Sequence, residues 1–198
     1  RQMCIRDRHG ILYTDKEGKA VSPLYTWQDQ RGDQVNPESG MSYAKELSEI
    51  TGYAMATGFG LTTHYYNTKH GLIPEEAVSF CTIPDYVAFS IAREKAPLLH
   101  QSMAASLGVY DIQKGCFDTE AIERAGMDIR MLPQVTKENA LCGKTAEGIP
   151  VAVSLGDNQA SFLGSVNEEC KVLLNVGTGA QLSAYSEKIA EGENLECR

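Results

Sequence analysis

The chain has 198 residues, with 26 acidic against 18 basic side chains and a formal charge of −8. That balance argues against broad non-specific nucleic-acid binding, which depends on Lys and Arg neutralising phosphates, and no apolar stretch approaches the roughly 20 residues of a membrane-spanning helix. With 42% apolar and 22% charged residues, the composition excludes a disordered, collagen-like or coiled-coil chain and calls for a packed core; no signal-peptide pattern opens it, so a cytoplasmic protein is expected.

Residues 1–8, Arg1-Gln2-Met3-Cys4-Ile5-Arg6-Asp7-Arg8, follow neither the helical nor the strand period and read as a non-native lead-in. Ile11 to Asp15 and Ala20 to Trp27 are strand-like runs around Lys16-Glu17-Gly18-Lys19, the pattern of a β-hairpin. From Ser42 to Ile50 the apolar positions Tyr43, Ala44, Leu47 and Ile50 recur at helical spacing, with Ser42 as cap and Thr51-Gly52 as stop. A second helix covers about Leu61 to Lys69. Pro84 opens a third, Asp85 to Glu94, with a wide apolar face, and a fourth runs from Thr119 to Ala125 with Gly126 as its stop. Leu99-His100-Gln101-Ser102 reads as a polar loop, solvated or facing a cleft.

The last third changes character. Ile149 to Leu155 is an apolar run expected to form a buried strand, and Gln159 to Val166 has helical spacing, so Asp157 lies at a strand-to-helix junction. A carboxylate there can accept a proton from a bound hydroxyl; it can equally be an N-cap. Two further strand-like runs, Lys171 to Asn175 and Gln181 to Ser186, flank Val176-Gly177-Thr178-Gly179-Ala180. The backbone N–H groups of Gly177, Thr178 and Gly179 can cradle a phosphate, or the glycines serve the turn alone. Trp27-Gln28-Asp29-Gln30-Arg31 sets an aromatic face beside polar groups, a composition suited to a polyol. The six cysteines are widely spaced, without a CxxC pair or a zinc-like Cys/His cluster, and read as reduced thiols. P-loop, Rossmann, zincin and GxSxG motifs are missing.

Taken in order, these segments resemble the FGGY family of carbohydrate kinases. The resemblance covers roughly residues 9 to 190 and rests on Leu24-Tyr25-Thr26-Trp27-Gln28-Asp29-Gln30-Arg31, Thr82-Ile83-Pro84-Asp85-Tyr86-Val87, Ala104-Ala105-Ser106-Leu107-Gly108, Leu132-Pro133, Gly156-Asp157-Asn158-Gln159-Ala160-Ser161 and Asn175-Val176-Gly177-Thr178-Gly179. Within the family the first three are most similar to the sedoheptulokinase branch, with xylulokinases next. The resemblance implies an α/β, actin-like or ribonuclease-H-like sugar kinase fold, truncated at both ends. It implies a partial N-terminal, sugar-binding domain over 9–166 and the beginning of a C-terminal, nucleotide-binding domain over 167–198, the polar Asn167-Glu168-Glu169 being the boundary.

On the family pattern Asp157 is the catalytic base; His9, Trp27, Gln101 and Asn158 contact sugar; and Gly177, Thr178 and Gly179 contact nucleotide phosphates. The cofactors implied are ATP and Mg²⁺, and the partner a small sugar, a ketose such as sedoheptulose first, with no nucleic acid or membrane partner and room for a homo-oligomer of a full-length parent. The family's acidic-Gly-Thr phosphate hairpin and most of its second domain are absent, and Arg8 stands where Met would precede His9. This piece alone is therefore expected to be inactive. A xylulokinase or other FGGY sugar or polyol kinase, a non-catalytic sugar-binding piece and an actin-like ATPase without a sugar substrate remain as alternatives.

Overall fold

The charged turn after Asp15 folds the chain back on itself as its sequence indicates. Ile11 and Tyr25 exchange backbone hydrogen bonds of 2.9 Å each, and the Val21 N–H donates to the Tyr13 carbonyl at 2.9 Å. The protein, in a computed structural model, is described over residues 10–167, 169–176 and 180–186. β1 (Leu12–Thr14) is followed by α1 (Tyr43–Thr51), α2 (Gly60–Lys69), β2 (Ser79–Cys81), α3 (Ile83–Ile91), β3 (Leu98–His100) and α4 (Gln101–Leu107). Then come the short pair β4 (Tyr110–Asp111) and β5 (Cys116–Phe117), α5 (Thr119–Arg124), β6 (Gln134–Thr136), β7 (Leu141–Lys144), β8 (Pro150–Ala152), α6 (Asp157–Ser165), β9 (Val172–Val176) and β10 (Ala180–Ala184).

Capping chemistry explains the helices that were legible. The Ser42 hydroxyl accepts from the Lys45 N–H at 3.3 Å, and Gly52, at φ 79°, takes the left-handed conformation that ends α1. Thr82 caps α3, with Pro84 in its first turn. β1 also pairs antiparallel with β2, Leu12 opposite Cys81, and β3 pairs parallel with β6, Leu98 opposite Gln134. The chain from α4 to α5 forms the crossover that a parallel pair requires. Ile11, Tyr13, Leu47, Leu61, Phe80, Leu99, Met103, Leu107 and Ile122 form one apolar core. Among the described residues, Cys81, Cys116, Cys142 and Cys170 are free thiols.

Two expectations are corrected. The apolar run from Ile149 is not a buried strand: β8 pairs antiparallel with β7 as a surface hairpin, Leu141 and Ile149 being 58% and 60% exposed, and Val153 is the side chain that reaches the interior. The polar loop expected around His100 is instead the junction of β3 and α4. Beyond α6, β9 and β10 form an antiparallel hairpin with Leu174 opposite Leu182. Its Val172, Leu174, Val176 and Leu182 side chains are exposed.

Burial of a carboxylate organises the loop before α1. Glu46 is 8% exposed and accepts hydrogen bonds from Asn36 Nδ2 at 2.7 Å, the Ser39 hydroxyl at 2.6 Å and the Tyr65 hydroxyl at 2.5 Å. Burial acts to raise its pKa, but the hydrogen bonds from Ser39, Tyr65 and Asn36 outweigh it and hold the carboxyl below its ordinary value. Its stabilising contribution is therefore present at neutral pH and is lost on acidification. Glu46→Gln, which keeps the volume and removes the charge, is expected to lower the unfolding free energy by about 2 kcal/mol at pH 7. Urea unfolding of the two chains checks this, and an unshifted midpoint would mean that the loop does not depend on the carboxylate.

Candidate functional site

Trp27 is carried by a turn whose backbone is pressed against the segment leading into α2. Gly58, at φ 82°, lies so close to the Trp27 carbonyl that a Cβ would collide with it, and a Cβ on Gly32 would lie 2.7 Å from the Thr62 methyl. The Thr57 hydroxyl donates to the Asp29 carbonyl at 3.4 Å. Arg31 ties this turn to the interior. Its Nε donates to Asp29 Oδ1 at 2.7 Å, its Nη1 donates to Asn67 Oδ1, and its guanidinium carbon stands 4.3 Å from the Tyr25 ring centroid and 5.3 Å from that of Tyr66.

Asn67 passes the connection inward, its Nδ2 donating to the Tyr13 hydroxyl at 3.1 Å, while Tyr13 and His64 Nδ1 share a hydrogen bond of 2.9 Å. Burial pushes the His64 pKa down to about 4, so the ring is neutral at physiological pH. A half-buried aromatic is thus mounted on a rigid shelf, the arrangement a sugar-stacking wall requires.

Gln101 is the first residue of α4 and is half-buried. It follows His100, whose Nδ1 accepts from the Ser102 N–H at 3.2 Å and serves as the helix cap. Burial lowers the His100 pKa, favouring the neutral ring that such acceptance needs. Gln101 therefore stands just past the end of β3, on the side where parallel strands present their carboxyl ends to ligands.

Asp157 opens α6 with Gly156 in the cap position. It is thus the first helical residue rather than the cap, and its side chain lies outside what the structure describes. Asn158 follows it, half-buried, in the first turn. The preceding segment is anchored twice: the Val153 N–H donates to the Ala140 carbonyl at 3.0 Å, and the Ser154 hydroxyl donates to Asp85 Oδ1. Asp85 is 1% exposed, and its Oδ2 accepts from the Thr82 hydroxyl at 2.6 Å.

Trp27, Gln101 and the Asp157-Asn158 pair are thus supplied by three different elements, each with its own support. His9, Gly177, Thr178 and Gly179 lie outside the described residues. Sequence reasoning placed Arg31 among the polar groups of the Trp27 segment but gave no role to Asn67, Tyr13, His64 or Asp85. For Asp85 a signal existed, since Thr82 and Asp85 have the spacing of a capping box. For the other three none did, because they and Arg31 are brought together from three separate segments.

Comparison with known proteins decides the family. Residues 5–164 match the model of the FGGY family of carbohydrate kinases, N-terminal domain. The chain belongs to the FGGY family. It is 33% identical over 178 residues to a sedoheptulokinase from Mus musculus and 32% identical over 178 residues to one from Homo sapiens, in both cases covering 85% of the chain and 36% of the relative. The chain therefore spans about a third of the length of these curated FGGY relatives. A solved structure described as a xyloylose kinase from Brucella ovis superposes with a TM-score of 0.71 at 22% identity, covering 91% of this chain and 38% of that one. The fold is accordingly the α/β, actin-like fold of FGGY sugar kinases. Among the described residues no helix is long and apolar enough to cross a membrane.

Besides Glu46, two buried groups of opposite sense contribute to the pH dependence of this FGGY domain. Burial pushes the Asp85 carboxyl up to about 6 against the lowering hydrogen bonds of Ser154 and Thr82, so its stabilising contribution is complete below the ordinary carboxylate value and is lost as pH rises through about 6. His64, depressed to about 4, contributes fully above the ordinary imidazole value and loses that contribution as pH falls toward 4. The Cys81 and Cys142 thiols facing Asp85 are both raised, burial being the main cause, so they stay uncharged in this window. Asp85→Asn isolates the carboxyl. The unfolding free energy of the unaltered chain, relative to this variant, is expected to be greater at pH 5 than at pH 7.5 by about 1 kcal/mol, measured in urea; a constant difference would contradict a raised Asp85.

Proposed function

We propose that this chain supplies the sugar-binding part of an ATP-dependent kinase that phosphorylates a hydroxyl of a ketose, with sedoheptulose the first candidate. The observation that carries the reading is the match to two sedoheptulokinases at 33% and 32% identity over 85% of the chain, and the segments bearing Trp27, Gln101, Asp157 and Asn158 lie within the family match over residues 5–164. Residues 9–166 form the sugar-binding domain in this reading, and 167–198 begin the nucleotide-binding one. A boundary there is supported by the N-terminal family match ending at residue 164.

In the mechanism, the Trp27 shelf gives one wall against the apolar face of the sugar, and His9, Gln101 and Asn158 hydrogen-bond its hydroxyls. Asp157 accepts the proton of the attacking hydroxyl. Gly177, Thr178 and Gly179 orient nucleotide phosphate through backbone N–H groups. Mg²⁺ in such sites is held largely by the nucleotide's own phosphates with one or two carboxylates; among the described residues no group of three or more His, Cys, Asp or Glu side chains gathers to hold a metal. When bound, Mg-ATP supplies the phosphoryl group and charge neutralisation, and this chain's share is to bind and orient the sugar and take its proton. A small sugar is thus the expected partner, in the cytoplasm.

The test is ADP formation by the intact gene product carrying this chain, with Mg-ATP and sedoheptulose, xylulose, gluconate or glycerol. Turnover is expected to be fastest with sedoheptulose. Asp157→Asn should lower kcat at least ~100-fold with little change in sugar affinity measured by calorimetry. Preference for xylulose or another polyol would reassign the substrate, ATP turnover independent of sugar would favour an ATPase, and undiminished turnover in Asp157→Asn would remove that residue from the base role.

A further inference from the structure

We propose that Asp85 is a positioning residue which, through the hydroxyl of Ser154, fixes the segment delivering Asp157 to the sugar. This deepens the function proposed above and rests on the reading of Asp157 as the base. The simpler reading is a capping box, in which the acidic residue three places after the cap turns back to the cap's own backbone N–H. Asp85 does take the Thr82 backbone N–H in this way, but it does more. One carboxylate oxygen accepts from the Thr82 hydroxyl at 2.6 Å, and the other accepts from Ser154, 69 residues further along the chain. Asp85 is 1% exposed, deeper than capping alone requires. Burying a carboxyl is expensive even with such donors, and its raised pKa is the sign of that expense. The arrangement makes sense if the contact with Ser154 is what the burial provides.

The course of the chain defines what Ser154 controls. β8 ends at Ala152 and α6 starts at Asp157, so Val153, Ser154, Leu155 and Gly156 are the whole connection. Val153 is buried and fixed through its N–H to the Ala140 carbonyl, and the first intrahelical bond of α6 runs from the Ala160 N–H to the Gly156 carbonyl at 2.8 Å. Ser154 lies between these two anchors. Its bond to Asp85 sets the direction in which the backbone leaves the packed body, and hence where the first turn of α6 begins. Phosphoryl transfer depends on such placement, since a shift of ~1 Å at the reacting groups can cost on the order of 100-fold in rate.

The experiment compares Ser154→Ala, Asp85→Ala, the double variant and Asp85→Asn in the intact gene product, with Phe89→Leu as a control that loosens α3 from the core. Ser154→Ala and Asp85→Ala are each expected to lower kcat ~10- to 100-fold, with sugar Kd changed less than about threefold. The double variant should be no worse than Asp85→Ala, because both remove one contact. Asp85→Asn, which still accepts from Ser154, should recover most of kcat. Phe89→Leu should lower Tm without lowering kcat. Amide hydrogen exchange on the same proteins should rise at residues 154–160 in Ser154→Ala and stay unchanged in α3. Additive losses, or a kcat that follows Tm across all variants including Phe89→Leu, would overturn the positioning role. Unchanged exchange at 154–160 in Ser154→Ala would overturn the clamp by itself, whereas absence of sugar-dependent turnover in the unaltered protein would overturn the function reading and leave the exchange result to decide the clamp.

Discussion

The guanidinium of Arg31 is the constraint on which the Trp27 turn depends. A cation brought inside a protein must be paired and hydrogen-bonded, because desolvation alone would cost more than the fold can supply. Arg31 is answered on every side: by Asp29 at 2.7 Å, by Asn67, and by the faces of Tyr25 and Tyr66. A lysine could not reproduce this, since its point charge lacks the planar fork that meets a carboxylate, an amide and two rings together. Asn67 is in turn held by Tyr13, which lies in β1 at the centre of the core. The Trp27 turn is thereby referenced to the most rigid part of the molecule, although its own side chains are partly exposed. Close backbone approach at Gly58 and Gly32 completes the shelf from the other side.

How much of this was legible in the sequence depended on whether the cause was local. Ser42 and Gly52 bracket α1 because a cap and a left-handed stop act within one turn of chain, and Thr82 with Pro84 does the same for α3. β2, β3 and β6 were not legible. Each is three residues long, too short to show alternation, and each exists because a distant partner supplies its hydrogen bonds. α4 was read as loop for a related reason: its cap is His100 rather than Ser, Thr, Asp or Asn, and its small residues give no amphipathic contrast. The run from Ile149 misled in the opposite direction, since hydrophobicity records a tendency to be covered and not what does the covering.

The site divides along the same line. Trp27, Gln101, Asp157 and Asn158 stood out because they lie in segments that resemble a known family, and the family match bears that membership out. The residues that hold them were invisible. Tyr13, His64 and Asn67 look like ordinary core or surface positions until folding brings them to Arg31, and Asp85 looks like part of a helix start. Ligand-facing residues are concentrated in short motifs, while their supports are spread over the tertiary structure.

Stability is distributed unevenly along the chain, and Asp157 stands at the change. Val153 is the last buried hydrophobic side chain among the described residues, whereas Leu163, Val172, Leu174, Val176, Leu182 and Tyr185 beyond it are all more than half exposed. On the preceding side Val153 enters the core and Ser154 meets Asp85. A residue just outside a packed body is placed accurately when the last anchor before it is stiff. Buried against two hydroxyls and the Thr82 backbone N–H, and tied to the first turn of α3, Asp85 meets that condition better than a surface contact could, because solvent does not compete for its hydrogen bonds.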